Sequence, residues 1–194
     1  MKYLDFITGI INEAVTASLP VDNVQILGVA QLVRTERQGR PVTWPAVYTE
    51  KGELTYAGID DKYAVCAYHR AMSMANQFVS GGYGDSIGDM RLTHRMSFVV
   101  YAHRDAIGMN ADQLALHLHF IIPELVKELP RHFKQVRINI SDVVLNTEQV
   151  FNEEFRNVDF FLGPEHVLLK CNYTIESIIN KRCFNTQCSP IEAA

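Results

Sequence analysis

The sequence predicts an α+β fold, in which an N-terminal helix and one long helix pack on an antiparallel or mixed β-sheet with a long β-hairpin. Three observations predict this class. Apolar residues recur at helical spacing over residues 4–18 and 110–129. Apolar and polar residues alternate over 94–103 and 167–176, as in strands with one buried face. Proline and glycine turns separate these segments, as expected for short connections in a compact fold.

The bulk composition limits the class of protein. The chain has 194 residues, of which 47% are hydrophobic and 21% charged, and its net charge is −4. These values predict one globular domain and exclude a disordered chain. The sequence has no apolar run near the roughly 18 residues of a membrane-spanning helix, no signal-peptide pattern and no basic stripe for nucleic acid. We therefore expect a soluble, intracellular domain over residues 1–184 and a flexible C-terminal tail over 185–194.

The N-terminal segment predicts the first helix. Leu4, Ile7, Ile11 and Val15 recur at steps of three and four residues, and Pro20 ends the run. These side chains would form one buried stripe.

A strand meander should follow the first helix. Residues 24–33 are typical of a buried strand, and residues 35–40 suggest a polar loop. Residues 44–48 and 54–56 predict two further strands, with a turn at 50–53 between them.

Residues 63–104 are the most unusual part of the chain. Residues 94–103 predict a half-buried strand. The preceding run, 63–79, fits either a helix, because it is rich in Ala and Met, or a strand. We favour a long β-hairpin, the hairpin arm, because the glycine-rich segment 80–88 suits a mobile tip.

The second helix has the clearest boundaries. Asn110 and Gln113 have the spacing of a capping box, Pro123 should kink the helix and Pro130 should end it. Its apolar stripe comprises Leu114, Leu118, Ile121, Ile122, Leu125 and Leu129.

The C-terminal third predicts a strand at 136–140, a short helical or irregular piece at 148–155, and a last strand. That strand should bury Val167, Leu169, Cys171, Tyr173 and Ile175 and expose Lys170, Asn172, Thr174 and Glu176.

Histidines and acidic residues are the candidate catalytic or metal-binding groups of this sequence. His117 and His119 are two apart on a helix and therefore point away from each other. His94 and His103 are nine apart on one strand and lie on opposite faces. Asp60-Asp61 follows Gly58 in a predicted turn. We interpret all of these as structural and predict no catalytic residue.

Cysteines and glycines give no stronger signal of a cofactor or metal. Cys66 and Cys171 lie among apolar neighbours and predict small buried side chains. Cys183 and Cys188 are spaced more widely than in the common zinc knuckle. The glycines at 81–84 lack the lysine and hydroxyl of a P-loop. We predict no cofactor, no metal and no enzyme activity.

The order of elements resembles the tail-terminator, or head–tail joining, proteins of tailed bacteriophages. In residues 4–180, a helix and a strand meander precede a hairpin whose apolar strand (96–101) enters a capped helix through 105–110. A closing strand, 167–173, ends the domain. The resemblance implies a structural virion protein of the phage neck or tail, assembled in the cytoplasm of the bacterial host.

The resemblance also implies a homo-oligomeric ring, six- or twelve-fold, between the portal and adjacent neck or tail proteins, with DNA only as passing cargo and no membrane contact. The hairpin arm would supply the contacts, because small residues (Ala67, Ala71, Ser73 and Ala75) on one face allow close packing. The predicted interface comprises Ala67, Ala71, Met72, Met74, Gly81, Gly82, Tyr83, Gly84 and Arg95.

Two other classes of function stay open. The chain could be an assembly adaptor that binds one protein partner through a sheet edge. It could also be a metal-dependent hydrolase that uses Asp60, Asp61 and one histidine.

Overall fold

The chain folds as a seven-stranded mixed sheet with four helices in the computed structural model, which describes residues 2–49, 51–78, 89–125, 136–158 and 162–180. The elements in chain order are α1 (Lys2–Ser18), β1 (Val24–Arg37), β2 (Arg40–Tyr48), β3 (Leu54–Tyr56), β4 (Val65–Phe78), β5 (Asp89–His103), α2 (Arg104–Ile107), α3 (Ala111–Glu124), β6 (Arg137–Val144), α4 (Thr147–Glu154) and β7 (His166–Asn180). The predicted α+β class is confirmed.

The strands lie in the order β3-β2-β1-β4-β5-β7-β6. The pair β1–β4 is parallel and every other neighbouring pair is antiparallel, which makes the sheet mixed. The predicted β1–β2–β3 meander is confirmed. Where the sequence left helix or strand open, the chain forms β4, which pairs with β5 from Val65 to Phe78. The predicted mobile tip, 80–88, lies outside the described residues.

The predicted polar loop at 35–40 is wrong. β1 runs on to Arg37 and β2 begins at Arg40, so only Gln38 and Gly39 form the turn. Both have positive φ, 52° and 75°. A two-residue turn with positive φ at both positions matches the twist of the flanking strands. The polar residues 35–37 and 40 can therefore pair as strand residues next to the turn.

One face of the sheet, the α1/α3 face, carries the larger core. Ile7, Ile11 and Val15 of α1 and Leu114 and Leu118 of α3 are buried there against β4, β5 and β7. The capping box forms as predicted, since Asn110 accepts a hydrogen bond from the Gln113 N–H and the Gln113 side chain accepts one from the Asn110 N–H. Pro123 lies inside the last turn of α3, and the predicted end of the helix at Pro130 lies outside the described residues.

On the opposite face, the α4 face, the described residues form a second core where β5 ends and β7 begins. There Val99, Tyr101, Leu168 and Tyr68 pack with Val150 of α4 in a second core. The prediction that residues 94–103 form a half-buried strand is therefore wrong at the C-terminal end of β5, because Val99 and Tyr101 are buried in this second core.

Lys170 was predicted to face solvent, but it is 4% exposed on the α4 face. Its ammonium pairs with the carboxylates of Glu153 and Glu154. Glu154 is fully buried and also accepts hydrogen bonds from Arg70 at 2.6 Å and from the Tyr68 hydroxyl at 3.3 Å. Burial, with the neighbouring Glu154 charge, raises the pKa of Tyr68, which keeps the hydroxyl protonated as a donor.

A β-bulge divides β4 into two parts. Ala71 lies opposite Met96 and Ser73 lies opposite Arg95, so Met72 is the extra residue. Beyond a bulge the side chains exchange faces. Ala71 therefore shares the α1/α3 face with Met96, whereas Ser73 and Ala75 lie on the other face. The predicted single face of small residues is wrong for this reason.

Among the described residues, no helix is long and apolar enough to cross a membrane. Cys66 and Cys171 are buried free thiols, as predicted. Burial raises the pKa of both, that of Cys171 to about 12, so both thiols stay protonated at neutral pH.

Candidate functional site

The outer edge of β4 is the first candidate site. β1 pairs with β4 only as far as Arg70, after which β1 continues along β2. No described residue pairs with the outer side of residues 71–78, which we call the distal edge. The inner side of the same segment is paired with β5, and β5 with β7 up to Asn180. The outer half of the hairpin arm is therefore not a free hairpin. The end of β4, the start of β5 and the end of β7 together form a three-stranded extension of the sheet.

The distal edge lacks the features that usually prevent a strand edge from pairing with another chain. Residues 71–78 contain no charged residue and no proline. Met72 and Met74 are 51% and 64% exposed. An unpaired strand with apolar side chains at its border offers both backbone hydrogen bonds and adaptable apolar contact to a partner.

The two outermost strands of the sheet, β3 and β6, are protected from pairing with another chain. β6 carries Arg137 and Asp142 and is interrupted by a bulge at Ser141. β3 is three residues long. Charges, bulges and short length are the means by which sheet edges avoid unwanted pairing. Within the described part of the chain, the distal edge is thus open to a partner, whereas the two outermost strands of the sheet are protected.

The predicted interface residues separate into three groups. Ala71, Met72 and Met74 are exposed at or beside the distal edge, and Arg95 is exposed on the α4 face beside Ser73. Ala67 is 2% exposed inside the core on the α1/α3 face and cannot contact a neighbouring subunit, which corrects its assignment. Gly81, Gly82, Tyr83 and Gly84 lie outside the described residues.

A second exposed apolar surface lies on α3. Leu116 and Phe120 are 56% and 64% exposed and stand one helical turn apart, pointing away from the core. α3 packs on β6 and β7, at the end of the strand order opposite to the distal edge. The protein therefore presents two separate apolar surfaces on opposite sides.

Beyond the second core, the α4 face of the sheet is polar. Arg91 and Arg95 of β5 and Arg137 of β6 are exposed on this surface. Closer to the base, Ser97 donates to Asn172 at 2.6 Å, and the Asn172 amide donates to Asp142 at 3.0 Å. This polar face distinguishes the two sides of the extension, because the other side buries Met96, Tyr173 and Ile175.

A third feature is a cluster of Asp61, His103 and His166, which we call the histidine cluster. The two histidines lie directly opposite each other on β5 and β7, with ring centroids 4.3 Å apart. Asp61 reaches them from the turn before β4, and its Oδ1 lies 3.8 Å from Nε2 of His103. The donor atoms of all three lie within 4.8 Å of one another.

Tyr101 contacts two members of the histidine cluster. Its ring stacks on His166 with centroids 5.1 Å apart, and its hydroxyl donates to Asp61 at 3.1 Å. Burial and the bond to Asp61 raise the pKa of Tyr101, so the hydroxyl retains the proton that it donates.

Sequence reasoning placed His94 and His103 on opposite faces, and this is confirmed: His94 is buried on the α1/α3 face. It missed His166, whose partnership with His103 depends on strands 63 positions apart that no local pattern joins. It had named Asp61 with an unspecified histidine.

His69, fully buried on the α1/α3 face, is a structural residue. Its Nδ1 accepts from the Tyr173 hydroxyl at 2.7 Å, and its Nε2 donates to the Asn12 side chain at 2.7 Å. Its ring stacks on Phe98. Burial lowers the pKa of His69 to about 3, so it is neutral and has both nitrogens paired.

Comparison with protein-family models and with curated proteins finds no match to this sequence.

Proposed function

We propose that this protein is a ring-forming structural component of the neck or tail of a tailed bacteriophage, a tail terminator or head–tail connector. The observation that carries the proposal is the distal edge, an unpaired strand without charge or proline at the end of a three-stranded extension. Such an edge is a template for pairing with another chain. We take that chain to be a neighbouring copy of the protein.

The placement of the exposed apolar surfaces favours a ring over a two-fold dimer. A closed ring is built from head-to-tail contacts, in which one surface of each protomer meets a different surface of the next. The distal edge with Met72 and Met74 lies on one side, and Leu116 and Phe120 of α3 lie on the other. One contact between these two surfaces, repeated around the ring, covers both on every protomer.

The order of elements adds support. The helix, meander, long hairpin, capped helix and closing strand from which the family resemblance was drawn are all present. The six- or twelve-fold count, the portal and the neighbouring neck or tail proteins remain implications of that resemblance.

The proposal is tested by placing a lysine on each surface in turn. Met74→Lys and Phe120→Lys each put a charge on one side of the head-to-tail contact, while Leu145→Lys places the same charge at another exposed apolar residue, which is 37% exposed in the β6–α4 connection. Light scattering coupled to size-exclusion chromatography measures the mass of each. We expect a discrete oligomer for the parent and for Leu145→Lys, and monomers for the other two.

Mixing the variants distinguishes a ring from a symmetric dimer. In a head-to-tail contact, Met74→Lys keeps an intact α3 surface and Phe120→Lys keeps an intact distal edge, so a mixture should form heterodimers that stop growing. A parent that stays monomeric at every concentration while binding one other protein through the distal edge would contradict the ring and support the adaptor.

A further inference from the structure

The histidine cluster has the composition of a transition-metal site. Two imidazoles and one carboxylate are ligands typical of Zn²⁺. They come from three separate segments: the turn before β4, the end of β5 and the start of β7. From this juxtaposition, we propose that Asp61, His103 and His166 bind a divalent transition-metal ion, with Zn²⁺ as the best-fitting ion.

The distances suit a site that closes around an ion. Zinc bonds of about 2.0–2.2 Å in tetrahedral geometry place neighbouring ligand atoms about 3.3 Å apart. The donor atoms of the cluster lie within 4.8 Å of one another, and Asp61 Oδ1 is 3.8 Å from His103 Nε2. Asp61 is 71% exposed on a turn, so its side chain can move toward the two histidines without disturbing the core.

An independent observation comes from His166, whose two ring nitrogens are both buried and make no hydrogen bond, although Nδ1 lies 3.4 Å from a carboxylate oxygen of Glu165. A buried polar atom that has lost water and gained no partner costs free energy. His69, the fully buried histidine, shows the alternative, since both of its nitrogens are paired. A metal ion on His166 satisfies one of its nitrogens directly.

The neighbours of the cluster provide the outer contacts that metal ligands usually have. Nδ1 of His166 lies 3.4 Å from a carboxylate oxygen of Glu165, which leaves Nε2 for the ion. The Tyr101 hydroxyl holds Asp61 through its 3.1 Å bond. A carboxylate behind a histidine ligand and a hydroxyl on a carboxylate ligand both orient the inner ligands and strengthen binding.

The site has three protein ligands and opens toward solvent at Asp61. Zinc sites with three protein ligands keep a fourth position for water or an external ligand. In this fold the bound ion connects the turn before β4 to the ends of β5 and β7, on the rim of the second core. We therefore expect the ion to raise the melting temperature of the protein, because only the folded chain brings the three segments together.

Zinc titration of the metal-free protein by calorimetry tests the proposal, with visible spectroscopy of the Co²⁺-loaded protein reporting tetrahedral geometry. We expect one ion per chain. Asp61→Asn and Tyr101→Phe should each weaken binding about 10-fold or more, because the first removes a ligand charge and the second removes its support. Tyr101→Phe keeps the ring that stacks on His166, and Asp61 is exposed, so both variants should fold.

Two controls separate this site from binding elsewhere. His119→Gln removes an exposed histidine of α3, and Cys188→Ser removes one member of the C-terminal cysteine pair; neither should change the affinity. The proposal is overturned if no stoichiometric zinc binds, if Asp61→Asn binds zinc as tightly as the parent, or if Cys188→Ser abolishes binding.

Discussion

His69 should make the stability of the fold depend on pH. Burial lowers its pKa from 6.5 to about 3, whereas the unfolded chain regains the ordinary value. Between these two pKa values the unfolded state binds one more proton than the folded state, so stability rises with pH and falls on acidification. The contribution is complete above pH 6.5 and is lost progressively as the pH falls toward 3.

The expected loss of stability follows from the one extra proton that the unfolded state binds. Each unit below the unfolded pKa costs about 1.4 kcal/mol, so acidification from about pH 7.5 to about pH 5 should remove about 2 kcal/mol through His69 alone. Burial also lowers the pKa of His94, which adds to the effect with the same sign. Glu153, whose pKa is lowered mainly by its hydrogen bond from Lys170, acts in the same direction at still lower pH.

Urea unfolding at several pH values measures this dependence, with Met74→Lys as the background so that oligomer formation does not contribute. His69→Gln can still accept from Tyr173 and donate to Asn12 but does not titrate. It should be less stable than its background at neutral pH, because the ring contact with Phe98 is lost, yet its stability should fall more slowly with acid. Exposed His119→Gln should keep the full slope. If His69→Gln and its background lose stability in parallel on acidification, His69 is not the source of the pH dependence.

Three further predictions concern packing and charge. Leu118 is fully buried, so Leu118→Ala should lower the free energy of unfolding by about 2–5 kcal/mol in urea melts; a silent change would contradict the core on the α1/α3 face. Asn110→Ala removes the α3 cap and should cost about 1 kcal/mol, whereas an unchanged melt would mean that the cap is dispensable. Glu154→Ala removes a buried carboxylate that Arg70, Lys170 and the Tyr68 hydroxyl share, and it should cost about 3–5 kcal/mol by the same assay; a loss below 1 kcal/mol would show that Glu153 alone satisfies Lys170.

Local patterns accounted for the helices and most strands. The stripe of α1 and the capping box of α3 depend on residues within one or two turns of each other, so their physics is visible in the sequence. The strand β4 was identified because a glycine-rich segment suggested a hairpin tip, although its Ala and Met content also fitted a helix. Residues 80–88, which suggested the hairpin, lie outside the described part of the chain.

The features that could not be predicted depend on contacts between distant segments. The alternation of polar and apolar residues in β7 predicts that Lys170 is exposed. It is buried because α4 places Glu153 and Glu154 over that part of the sheet. The bulge at Met72 has no glycine to indicate it, yet it decides which residues border the distal edge. His103 and His166 meet only because β5 pairs with β7 along its whole length.

Cryo-electron microscopy of the purified parent protein tests the ring most directly. We expect closed rings in end-on views, six- or twelve-fold, in which residues 71–78 of each protomer contact the next protomer beside Leu116 and Phe120. Two-fold particles joined edge to edge, or single protomers at all concentrations, would contradict the ring.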